Sequence, residues 1–165
     1  MNEQLGTKFS KLKLLALDVD GVLTDGKIFY SENGEELKAF NVKDGLGLKQ
    51  LLRAGIEIAI ITARNSKSVE KRSEELGIQR IKQGVKNKRH ALTKLCDELK
   101  IGIDECAFMG DDLPDIEAMA CAGVSMTVAD AAPEVIDLAD WISSRSGGQG
   151  AVREACDMIL RYIKP

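Results

Sequence analysis

Short apolar runs alternating with helix-patterned segments constrain this chain more than any other feature. Residues 12–19 form a largely unbroken apolar run that leads straight into Asp20-Gly21, as expected of a buried parallel strand with a loop at its carboxyl end. Residues 27–42 hold two strand-like runs around Asn33-Gly34, a strong hairpin signal. The spacing predicts helices over 44–54, 66–76, 88–99, 114–122 and 133–138. It predicts strands at 57–61, 80–81, 107–109, 124–128 and 141–142. Strand–helix alternation of this kind implies an α/β chain, a three-layer Rossmann-like fold whose central parallel sheet carries helices on both faces. Gly147–Gly150 reads as a flexible loop and 151–163 as a last amphipathic helix, so residues 1–165 are expected to form a single domain with a tail over 146–165.

The net charge is −3 and the basic residues are scattered, which disfavours nucleic acid as a partner because such partners select a basic footprint. No apolar run reaches the ~18 residues that span a bilayer, so no membrane association is expected. Residues 1–13 are polar, without the apolar core of a secretory signal, and read as a solvated lead-in to a cytoplasmic protein. Cys96, Cys106, Cys121 and Cys156 form no CxxC pair; they read as small buried hydrophobes in a reducing compartment. His90 is the one histidine and falls on a predicted solvated helix. Acid–base chemistry therefore rests on Asp, Glu and Lys unless His90 carries it.

Four motifs follow in order, three of them at predicted strand ends, the edge where open α/β sheets bind ligands. The first is Asp18-Val19-Asp20-Gly21. Its two carboxylates can converge on one cation, and hard oxygen ligands suit Mg²⁺; Gly21 admits a close approach to phosphate. The second is Thr62-Ala63-Arg64, where a hydroxyl and nearby N–H groups can hold phosphate oxygens or begin a helix. The third is Lys88, a cation able to neutralise phosphate and, alone, indistinguishable from a surface lysine. The fourth is Gly110-Asp111-Asp112-Leu113-Pro114-Asp115, in which one acid can complete a metal site while another complements a helix N-terminus.

Taken together the motifs resemble those of the haloacid dehalogenase superfamily, over essentially the whole chain. The resemblance implies an aspartyl-phosphate formed on Asp18, with Asp20 as general acid and then base. It implies Mg²⁺ held by Asp18, Asp111 and the backbone carbonyl of Asp20. Lys88 and Thr62 would hold the phosphoryl oxygens, and Asp112 and Asp115 would orient metal waters or Lys88.

There is little room for an inserted cap, so a projecting hairpin over 27–42 takes its place. Its Ile28, Phe29, Tyr30, Leu37 and Phe40 would be covered by copies of the same chain. DVDGVLTDGKIFY, AFNVKDGLGL, GDDLPD and GGQGAVRE are similar to the bacterial 3-deoxy-D-manno-octulosonate 8-phosphate phosphatases. That resemblance implies a tetramer with active sites near subunit interfaces, a tail able to fold over a partner's site, and a role in lipopolysaccharide precursor synthesis. Arg64 is the first candidate for the sugar-acid end of the substrate, with Arg72 and Lys43 behind it. Ala63 stands where the family usually has glycine, which would shift the loop if a positive φ were needed. Three other readings are a 9-phosphate phosphatase for nonulosonic acids, a mutase, and a non-catalytic regulatory module.

Overall fold

The computed structural model describes residues 3–163; the ends of the expected lead-in and tail, 1–2 and 164–165, lie outside the described residues. Six parallel strands form the central sheet: β1 (Leu14–Leu17), β4 (Glu57–Ile61), β5 (Arg80–Lys82), β6 (Cys106–Met109), β7 (Val124–Thr127) and β8 (Trp141–Ile142), in the order β5-β4-β1-β6-β7-β8. Leu17 pairs with Ile60 on one side and Met109 on the other. The carboxyl ends of the three middle strands thus stop level with one another. The chain winds one way from β1 to β5 and the other way from β6 to β8. Right-handed crossovers consequently send the helices to opposite faces, and the reversal falls between β1 and β6.

One helical group joins α2 (Val42–Arg53), α3 (Lys67–Leu76), α7 (Ala151–Tyr162) and α1 (Glu3–Phe9); the other joins α4 (Lys88–Leu99), α5 (Ile116–Cys121) and α6 (Pro133–Leu138). With both sheet faces covered, β1, β6 and β7 are buried at every position, which is why β1 and β6 read as unbroken apolar runs. The fourth motif runs into a 3₁₀ turn, Leu113–Asp115, followed by α5, where the pattern predicts one helix.

The expected solvated lead-in is corrected. Residues 3–9 form α1, Phe9 is fully buried, and its ring stacks on Tyr162 of α7 at 5.9 Å. The hairpin forms its own two-stranded sheet from β2 (Phe29–Tyr30) and β3 (Glu36–Leu37). Cys96, Cys106 and Cys156 are buried and all four thiols are free. Cys121 is only partly covered.

The segment read as a flexible loop is packed. Gly147 and Gly150 are buried. The Gly147 N–H donates to Asp130 Oδ1 at 2.9 Å, the Gly148 N–H to the Val22 carbonyl at 3.0 Å, and Asn41 Nδ2 to the Gly148 carbonyl at 3.1 Å. A Cβ on Gly147 would lie 1.8 Å from the Gly21 carbonyl oxygen, so only glycine lets this strap lie against the loop that follows β1. The tail here seats on the loop after β1 of its own chain.

Candidate active site

β1 ends at Leu17 and delivers Asp18 to the carboxyl edge of the sheet, its N–H still donating to the Met109 carbonyl at 3.0 Å. The next turn brings Asp20 and Gly21 beside it. Gly21 has φ +90°, and a Cβ there would lie 2.0 Å from Asp111 Oδ2. Glycine is therefore required both by its conformation and by the approach of the Asp111 carboxylate. β4 ends at Ile61 and is followed at once by Thr62, whose N–H donates to the Lys82 carbonyl at 3.0 Å. Helix α3 begins further on, with Ser66 at its N-cap position, so Thr62 is left to the cleft. Lys88 opens α4 behind the N-cap Asn87, whose Oδ1 accepts from the His90 N–H at 2.8 Å. β6 runs into Asp111, Asp112 and Asp115.

One cleft of about 170 Å³ is lined by Asp18, Asp20, Thr62, Ala63, Arg64, Lys88, Asp111, Asp112, Pro114 and Asp115. All four motifs meet there. Lys88 Nζ sits 2.9 Å from Asp18 Oδ1 and 2.6 Å from Asp115 Oδ1. Burial pulls the ammonium's pKa down, but the two carboxylates outweigh it and hold it above the usual lysine value. Asp115 Oδ2 accepts from the Asp111 and Asp112 N–H groups at 3.1 and 3.3 Å. Asp112 is exposed and caps the turn, accepting from the Leu113 N–H at 2.8 Å.

The acids crowd one another. Burial and the Asp115 charge, opposed by Lys88, raise Asp18 to about 6. Burial and the charges of Asp18, Asp115 and Asp112 raise Asp111 to about 8. Asp18, Asp111 and Asp115 each offer an oxygen, all within 4.8 Å of one another, and Asp111 Oδ1 is buried without a hydrogen-bond partner. An unpaired buried oxygen among like charges fits a hard divalent cation. The Asp20 carboxylate is not in that cluster. It is gripped by Lys38 Nζ, with Arg64 Nε 3.9 Å from its other oxygen.

Sequence reasoning missed Lys38 and Glu36. Lys38 also pairs with Glu36 Oε1 at 3.1 Å, and Arg64 Nη2 lies 2.5 Å from Glu36 Oε2. The residues to which charge alone pointed lie elsewhere. Arg72 lines a small hollow with Asp44 and Gly45 and pairs with Glu75 at 3.2 Å; Lys43 lines a separate basic hollow with Arg145 and Arg153. Ala63 carries its methyl without strain, because Lys100 is the one described non-glycine residue with positive φ.

The chain is 50% identical, over 93% of its length and 82% of the relative's, to the 3-deoxy-D-manno-octulosonate 8-phosphate phosphatase of Salmonella typhi. It belongs to that phosphatase family. The Escherichia coli K12 protein of the same name is 50% identical over the same 93% of this chain and 81% of its own. Residues 81–154 match the haloacid dehalogenase-like hydrolase model. The Moraxella catarrhalis phosphatase, solved with magnesium, phosphate and the sugar acid KDO, superposes with a TM-score of 0.96 at 44% identity, covering 99% of this chain and 94% of that one. The cobalt-bound Haemophilus influenzae enzyme gives 0.91 at 41% identity, covering 94% and 91%.

Proposed function

We propose that this protein hydrolyses 3-deoxy-D-manno-octulosonate 8-phosphate to the free sugar acid and inorganic phosphate, in lipopolysaccharide precursor synthesis. The observation that carries the reading is the cleft itself. It gathers Asp18, Asp20, Lys88 and Asp111 at the sheet's switch point, in a chain half identical to enzymes of that name.

Asp18 attacks phosphorus in line while the bond to the sugar oxygen breaks. Asp20 gives its proton to that oxygen, then takes one from the water that attacks the aspartyl-phosphate, which releases phosphate and restores Asp18. Lys88, Thr62 and the backbone at Gly21 and Ala63 hold the phosphoryl oxygens. Asp115 fixes Lys88 and, with Asp112, shapes the loop that presents Asp111. Asp18, Asp111 and the Asp20 carbonyl would hold Mg²⁺, whose positive charge would let an anionic nucleophile meet an anionic phosphate. Arg64 faces the sugar-acid end of the substrate.

The named relatives favour the eight-carbon substrate over nine-carbon 9-phosphates. A complete set of acids with Lys88 argues against a non-catalytic module. The hairpin exposes Ile28, Phe29, Tyr30 and Leu37, next to exposed Val42 and Leu46. Apolar surface on a marginal ribbon supports self-association into a tetramer with active sites near its interfaces. No described helix is long and apolar enough to cross a membrane, in keeping with a cytoplasmic enzyme.

The test is phosphate release from octulosonate 8-phosphate, a sialate 9-phosphate, a hexose phosphate and a nucleotide, with Mg²⁺ and with chelator. Preference for the first, lost with chelator and in Asp18→Asn, is expected. Preference for the nine-carbon ester would correct the substrate, and turnover surviving in Asp18→Asn would remove the nucleophile.

A further inference from the structure

The hairpin carries a lysine that no catalytic motif announces. The Lys38 side chain, just past β3, is 1% exposed. An ammonium taken out of water is costly unless carboxylates meet it, and Lys38 meets two, Asp20 Oδ1 and Glu36 Oε1. Arg64 closes the ring by pairing with Glu36 and approaching Asp20 Oδ2 at 3.9 Å. Two cations thus balance two acids. Among the described residues, Lys38 and Arg64 are the groups that hold the Asp20 carboxylate. Asp20 and Arg64 line the cleft and Lys38 does not. The ammonium is thus buried against Asp20 without lining the cleft itself.

We infer that Lys38, braced by Glu36, is a positioning residue that fixes Oδ1 of Asp20 so that Oδ2 is the oxygen exchanging a proton with the leaving group. A carboxylate on a turn has several rotamers, and a proton donor must sit within hydrogen-bond reach of its target. Lys38 removes that freedom. The inference rests on the reading of Asp20 as general acid, and its test separates the two.

In the full chain with Mg²⁺, aspartyl-phosphate formation is followed by rapid quench from octulosonate 8-phosphate, an alkyl ester whose alkoxide needs a proton. It is followed as a nitrophenol burst from p-nitrophenyl phosphate, whose leaving group needs none. Lys38→Met is expected to slow the sugar ester by about 10- to 100-fold, part of the roughly 10²–10⁴-fold a general acid supplies, and to leave the burst within about twofold. Lys38→Arg should restore part of the loss. Equal slowing of both substrates would mean a merely structural role, and no slowing would mean no role; either overturns the inference. If thermal melting shows Lys38→Met unfolded, Glu36→Gln is read by the same criterion. Asp20→Asn is the reference. If it shows no leaving-group-dependent loss, the reading of Asp20 fails and the inference with it. If it shows that loss and Lys38→Met does not, the inference alone fails.

Discussion

The Lys88 ammonium lies 2.6 Å from Oδ1 of Asp115, whose Oδ2 accepts from the Asp111 and Asp112 N–H groups. One buried carboxylate therefore ties the cation facing Asp18 to the loop that presents Asp111. Lys88→Met would leave Asp18 and Asp115 buried without their counter-charge, a loss of about 3 kcal/mol for a broken buried pair. Urea unfolding in chelator should show it as a lower midpoint at unchanged slope. Lys88→Met with Asp115→Asn should recover part of the stability and none of the activity.

The acids also set a pH dependence. Asp111 titrates near 8 in the metal-free fold, against 3.8 as its ordinary value, and Asp18 near 6. Between the ordinary carboxylate value and each raised one the folded state holds protons that the unfolded chain has released. That contribution is complete at low pH and is lost as pH rises through the folded values. Without metal, the thermal midpoint should fall from about pH 5 to about pH 8, by roughly 2–4 °C for each kcal/mol lost. Mg²⁺, which favours the ionised carboxylates, should flatten that slope. A chelated protein whose midpoint rises over this range would contradict the crowding of these acids.

The proposed self-association has a direct readout. Phe29 and Tyr30 are 50% and 64% exposed on the hairpin. Phe29→Glu with Tyr30→Glu should leave the monomer fold intact by circular dichroism and lower the mass found by sedimentation, since charge on an apolar contact opposes burial. An unchanged mass would move the contact off the hairpin.

Gly147→Ala tests the strap. The added methyl would meet the Gly21 carbonyl, and forcing the two apart should cost about 1–3 kcal/mol. Displacing the loop between Asp18 and Asp20 by even ~1 Å should lower kcat by roughly 100-fold. A variant with unchanged kcat would show that the loop tolerates the shift.

The fold was legible where burial and period agree. β4 and α4 fall on the expected residues because Ile58, Ile60 and Ile61 are buried and Leu92, Leu95 and Cys96 share one helical face. Helix α1 was hidden by its polar residues. Leu5 and Phe9, four apart on one face and both packed on the core, were the available signal. Acids at strand ends were visible because their spacing follows the sheet. Lys38 was not, because its partner Asp20 becomes its neighbour only once the hairpin folds back, and nothing local marks that return. Lys43 and Arg72 were chosen for charge, and charge does not say which side of a helix faces the cleft.

Biosynthesis places the parts of this site far apart in time. Asp18 and Gly21 emerge from the ribosome early, yet the loop they share acquires the Gly148 hydrogen bond and the Gly147 contact only after the rest of the sheet has been made. Helix α7 anchors that strap on α2 through the Arg153 N–H bond to Asp44, 2.8 Å long. A nascent chain holds Asp18 long before it holds the glycine strap that packs on the loop after it.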